Sequence, residues 1–126
     1  WIRLQSGHAI SALAIGPGGD AFAVARTCGE VEICSLANPT KPYERFDIGG
    51  RARTLGFSPD GHLIAVVLDD ETIAVHLVEG GGRRVHSVRD PENRILALRF
   101  TRRELLGYFE RDQKLCVRYL DRERAQ

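Results

Sequence analysis

Arg53-Thr54-Leu55-Gly56-Phe57-Ser58-Pro59-Asp60-Gly61-His62-Leu63-Ile64-Ala65-Val66-Val67-Leu68 reads as two strands and the turn that joins them. Pro59 fixes its own φ, and Asp60-Gly61 supplies residues that tolerate the left-handed conformations of a hairpin turn. Leu63 to Leu68 is a continuous apolar run, short enough for a strand buried on both faces. Asp69-Asp70-Glu71-Thr72 follows as the next turn and Ile73 to Val78 as a third strand. Gly80-Gly81-Gly82 then leads to Arg84-Val85-His86-Ser87-Val88, a polar segment expected at the outer edge. Short strands with turn signals between them at about 8–12-residue spacing predict an all-β fold. No stretch of the chain carries the helical period.

The same layout recurs every 42 residues. Ala21-Phe22-Ala23-Val24-Ala25 precedes Leu63-Ile64-Ala65-Val66-Val67 by that distance, and Leu105-Leu106-Gly107-Tyr108-Phe109 follows it by the same distance. Val31 to Leu36, Ile73 to Val78 and Leu115 to Leu120 repeat alongside. In the third copy Phe100 lies 43 residues after Phe57 and the turn Thr101-Arg102-Arg103-Glu104 is one residue shorter, so the register is expected to return by Leu105. A period of about 40 to 45 residues built from short strands predicts β-propeller blades. The expectation is three four-stranded antiparallel blades: 11–48, 53–89 and 95–121, the last without its own outer strand, with 1–6 as the outer strand of a preceding or closing blade. Closed propellers have at least about four blades, so 1–126 is expected to be an open arc. Two completions stand side by side. Trp1 in place of Met suggests a piece of a longer polypeptide that carries the missing blades. Alternatively, two or three identical copies join end to end, with Trp1–Ser6 pairing onto Val117–Leu120 of a neighbour.

Composition narrows the function classes. Eighteen Lys and Arg against seventeen Asp and Glu leave a net charge of +1, which argues against a nucleic-acid or membrane-surface protein. No apolar run approaches the roughly 20 residues that cross a bilayer. Cys28, Cys34 and Cys116 are odd in number and form no Cys-x-x-Cys pair, which points to reduced thiols and a cytoplasmic setting. Their spacing with His76 fits no zinc pattern. His8, His62, His76 and His86 pair with no nucleophile in sequence. Gly80-Gly81-Gly82-Arg83-Arg84 lacks the Lys-Ser/Thr ending of a phosphate loop, and Asp69-Asp70-Glu71 reads as a solvated turn. The expectation is therefore a non-enzyme with no catalytic residue, cofactor or metal.

Arginine is the one biased residue. Arg51, Arg53 and Arg94 fall where inner strands begin, and Arg26 and Arg111 flank the second hairpin turn of their repeats. In a propeller those loops open on one face. The planar guanidinium suits carboxylate recognition, so these five are the candidate contacts for a protein or peptide partner. The competing reading is ordinary solvated charge balanced by Asp69, Glu92 and Glu110.

These residues resemble the WD-repeat (tryptophan–aspartate repeat) β-propeller family along essentially the whole chain. Gly7-His8 is similar to the family's blade opening, Phe57-Ser58-Pro59-Asp60-Gly61 matches its first turn in full, and Ile15-Gly16-Pro17-Gly18-Gly19 matches it loosely. Asp70 and Asp112 occupy the second-turn Asp, where Cys28 stands in the first copy. The terminal Trp-Asp is degraded: Tyr119-Leu120-Asp121 is nearest, while Ser35-Leu36 and Leu77-Val78 have lost it. The family's buried Asp–His–Ser/Thr–Trp network is thus incomplete in every copy. The resemblance implies a scaffold or sensor module that binds proteins or peptides within a larger assembly. Two alternatives remain open: a self-assembling ring, and a ligand-binding or hydrolytic propeller with a site at the channel mouth. The latter needs inward carboxylates or histidines, which Ser11–Ile15, Arg53–Phe57 and Leu96–Phe100 do not supply.

Overall fold

A computed structural model describes residues 8–89, 91, 92, 94–102 and 104–120. The expected strand at 1–6, Gly7 and the segment from Asp121 onward lie outside them. Among the described residues there are eleven strands and no helix; accordingly, no helix there is long and apolar enough to cross a membrane. β1 (Ile10–Ile15), β2 (Ala21–Arg26), β3 (Glu30–Ser35) and β4 (Glu44–Asp47) form one antiparallel sheet in that order. β5 (Ala52–Phe57), β6 (Leu63–Leu68), β7 (Thr72–Leu77) and β8 (Arg84–Arg89) form a second. β9 (Ala97–Phe100), β10 (Leu105–Arg111) and β11 (Lys114–Tyr119) form a third.

The turns form where local chemistry replaces ladder hydrogen bonds. The Ser58 hydroxyl donates to Asp60 Oδ1 at 2.7 Å and accepts the Leu63 N–H at 3.0 Å. Asp60 Oδ1 also takes the His62 N–H at 3.0 Å, and Gly61 turns the chain at φ 77°. The second hairpin repeats the device: Asp70 Oδ1 accepts the Thr72 N–H at 3.0 Å. These short polar side chains satisfy backbone groups that the turn would otherwise orphan.

The sheets stack side by side, with inner strands β1, β5 and β9 adjacent. Between the first and second sheets, Ala23, Ala25, Val31 and Ile33 pack on Leu55, Ile64, Val66 and Leu68. Between the second and third, Ala65, Val67, Ile73 and Val75 pack on Ile95, Leu105, Phe109 and Leu120. The run Ile64–Leu68 is buried on both faces because a sheet lies against each. Burying one such Ile or Val contributes about 1.5–3 kcal/mol. Polar straps cross the same seams. Arg84 donates to the Ile48 carbonyl at 3.1 Å, and His86 Nε2–H to the Leu120 carbonyl at 3.2 Å.

The third copy departs from the expected register. Phe100 pairs with Leu105, as Phe57 pairs with Ile64 and Ile15 with Phe22. Leu105 therefore stands at the position of Ile64, not of Leu63. A one-residue offset reverses which face each side chain meets, so Leu105 and Phe109 turn toward the second sheet, with Gly107 between them. Gly107 fits there because a Cβ would come within 2.8 Å of Leu120 Cδ1 and 3.0 Å of Ile95 Cδ1.

Candidate functional site

The starts of β1, β5 and β9 share one rim of the sheets with the β2–β3, β6–β7 and β10–β11 turns, and that rim carries all five candidate arginines. They divide into two groups. Arg53 and Arg26 are largely buried and tied into the frame. Arg53 pairs with both carboxylate oxygens of Glu71 through Nη1, while Nη2 donates to the Ile95 carbonyl at 2.5 Å. It thereby joins β5, the β6–β7 turn and the segment leading into β9. Glu71 holds a φ of 70°, a conformation that costs an ordinary residue about 1 kcal/mol. Arg26 Nε meets Glu32 at 3.0 Å and its Nη1 donates to the His8 carbonyl at 3.0 Å; Arg45 reaches the same Glu32 at 3.1 Å. Neither arginine presents its fork outward.

Arg51, Arg94 and Arg111 are exposed. Arg51 lies 3.7 Å from Asp69, an open pair that contributes at most about 1 kcal/mol and yields easily to a competing carboxylate. The Arg111 guanidinium sits 5.5 Å from the Phe109 ring centroid, a cation–π contact that limits its rotamers. The sequence reading missed Arg89, which ends β8 on the same rim and donates to the Asp70 carbonyl at 3.0 Å. Its signal was its place as last residue of the outer strand. Acidic groups intersperse the rim. The Asp70 carboxyl is held below its ordinary range by hydrogen bonds from the Thr72 side chain and then its backbone N–H, so Asp70 stays ionised and the rim is of mixed sign.

At the other end of the second and third sheets lies a cleft of about 320 Å³, lined by Ser58, Asp60, Phe100, Arg102 and Glu104 among others. The Asp60 carboxyl is held low by the Ser58 hydroxyl and the His62 N–H, so it is an ionised turn residue. Among the described residues no three His, Cys, Asp or Glu side chains gather as a metal site would require.

His76 is buried in the seam between the first two sheets. Its Nδ1–H donates to the Gly82 carbonyl at 2.8 Å, and the ring stacks on Phe46 with centroids 5.6 Å apart. Burial lowers its pKa, with the Arg84 charge adding to the effect against the Gly82 hydrogen bond. The folded protein therefore takes up this proton less readily than the unfolded chain. Stability is unaffected above about pH 6.5 and declines below it by up to about 1.4 kcal/mol per pH unit, until His76 titrates in the folded state. Urea midpoints measured from pH 7.5 down to 5 should show that slope, and a His76→Phe variant should lose that share of it. Cys34, one repeat earlier, is also buried. Its thiol pKa is raised by burial first and by Glu32 second, which keeps it protonated.

No family model matches the chain, and no curated protein matches it. Among 777 matching chains of solved structures is hydrazine synthase of Kuenenia stuttgartiensis. The TM-score is 0.67 at 17% sequence identity, covering 89% of this chain and 34% of that one. At that identity the likeness is one of strand arrangement alone. This chain spans about a third of that structure's length.

Proposed function

We propose that the three sheets are consecutive blades of a β-propeller similar to WD-repeat proteins, and that the chain is a non-enzymatic interaction or scaffold module of the cytoplasm. Further blades, from a longer polypeptide or from identical copies, complete the ring. The module takes an acidic protein or peptide segment on the rim. The carrying observation is the division among the arginines: Arg26 and Arg53 brace the frame, while Arg51, Arg94 and Arg111 stand exposed on one edge of it. Arg111 ends β10, while Arg51 and Arg94 lie in the segments that lead into β5 and β9. Exposed charges mainly set orientation and salt dependence, at about 0.5 kcal/mol each.

The probe is a fluorescein-labelled polyglutamate peptide followed by anisotropy. The parent chain should bind it, and binding should weaken between 50 and 300 mM salt as screening sets in. Arg51→Glu, Arg94→Glu and Arg111→Glu combined should raise Kd by about tenfold or more while circular dichroism stays unchanged. Equal binding by parent and triple variant refutes the rim as the site.

A further inference from the structure

The two internal seams differ at the end opposite the rim. Between the first and second sheets the turns meet: a Cβ built on Gly61 would lie 3.5 Å from Pro17 Cγ. Between the second and third sheets the corresponding space is the cleft of about 320 Å³. Its origin is a shortened turn. Six residues separate the paired Ile15 and Phe22, and six the paired Phe57 and Ile64, but only four separate the paired Phe100 and Leu105. The short turn closes on itself, with the Thr101 N–H donating to the Glu104 carbonyl at 2.8 Å and the Glu104 N–H to Thr101 Oγ1 at 3.1 Å. It therefore stops short of the Ser58–Gly61 turn beside it.

The lining brings together three kinds of group. Leu63 and Phe100, both half-buried, give the cleft an apolar side. Asp60, Arg102 and Glu104 add charges of both signs. The Ser58 hydroxyl and the His62 N–H both bind Asp60 Oδ1, which fixes that carboxylate and leaves Oδ2 with no hydrogen bond among the described residues. A simple cation entering the cleft meets Arg102 as a like charge, and a simple anion meets Asp60 and Glu104. A molecule that carries both charges beside an apolar group complements the whole lining. The volume lies at the lower end of the roughly 300–1,000 Å³ of small-molecule sites, so the occupant is one small molecule and not a stretch of peptide. We infer that the cleft binds a free α-amino acid with an apolar side chain. Its ammonium group meets Asp60, its carboxylate meets Arg102, and its side chain lies against Leu63 and Phe100. The guanidinium fork suits the carboxylate, and Asp60 is already held in place before the ligand arrives. The site is at the far end of the sheets from the rim arginines, so it stands whether or not the rim takes a partner.

Amide chemical shifts of the isotope-labelled chain, titrated with L-phenylalanine and L-leucine up to about 20 mM, test this. Saturable shifts confined to residues 58–63 and 100–104 are expected, with a Kd of about 1 mM or tighter. Three probes each lack one element of the ligand: phenethylamine the carboxylate, phenylacetate the ammonium group, and glycine the side chain. Each should bind at least about tenfold more weakly than L-phenylalanine. Asp60→Asn keeps an acceptor for the turn and Arg102→Gln changes an exposed side chain; either should raise Kd by about tenfold or more. If Asp60→Asn loses the dispersion of a folded spectrum, Arg102→Gln and the three probes decide the matter. The absence of saturable shifts, shifts centred outside the two turns, phenethylamine or phenylacetate binding as well as L-phenylalanine, or an unchanged Kd in Arg102→Gln each overturns the inference.

Discussion

Gly82→Ala is expected to destabilise the chain by about 2–4 kcal/mol, a large share of the 5–15 kcal/mol that holds a typical domain together. Gly82 lies at φ 70° between β7 and β8, and a Cβ built there overlaps the ring carbons of Phe46. Alanine in the left-handed region costs about 1 kcal/mol. Displacing Phe46 from a packed seam adds about 1–3 kcal/mol or more. Phe46 has nowhere easy to go, because its ring stacks on His76, which is itself held by the Gly82 carbonyl. The three residues lock the outer strand of the first sheet to the outer half of the second. The urea midpoint should fall sharply. In the background of Phe46→Ala, which removes the overlapping ring, Gly82→Ala should cost only its conformational share. An undiminished cost there would place the origin of the effect elsewhere.

How far the sequence carried depended on whether a residue's role is local. The turn at Ser58–Gly61 was legible because every partner lies within five residues, and the structure closes it with Ser58, Asp60, His62 and Leu63. The strands of the middle copy fell within a residue of the expected ones for the same reason. Leu105–Phe109 was not legible in register. It is apolar on alternate positions of both phases, so nothing in the pattern says which face is which, and only pairing with Phe100 decides it. The rim arginines divide on a similar point. Arg51 and Arg53 differ by two positions and look equivalent in the sequence. Yet only Arg53 reaches Glu71, displayed on the facing turn, and a carbonyl 42 residues away. In the sequence His76 pairs with no nucleophile and fits no zinc spacing; its stack on Phe46 depends on the neighbouring sheet, which no local pattern specifies.

Arg53→Met is expected to cost about 3 kcal/mol, against no more than about 1 kcal/mol for Arg51→Met. Both arginines have an acidic partner, but burial separates them. Arg51 and Asp69 stay hydrated, so losing one leaves the other in water. Arg53 and Glu71 are largely out of solvent, so removing the cation strands a carboxylate in the fold and deprives the Ile95 carbonyl of its donor. The cost is then chiefly that of the orphaned anion, not of the lost attraction. Glu71→Gly should consequently rescue Arg53→Met, because it removes the stranded charge and places glycine at φ 70°, where it is unstrained. The double variant should return to within about 1 kcal/mol of the parent in urea unfolding. If it stays as unstable as Arg53→Met alone, the stabilising contact is the strap from Arg53 to Ile95, and the seam between the second and third sheets depends on that one donor.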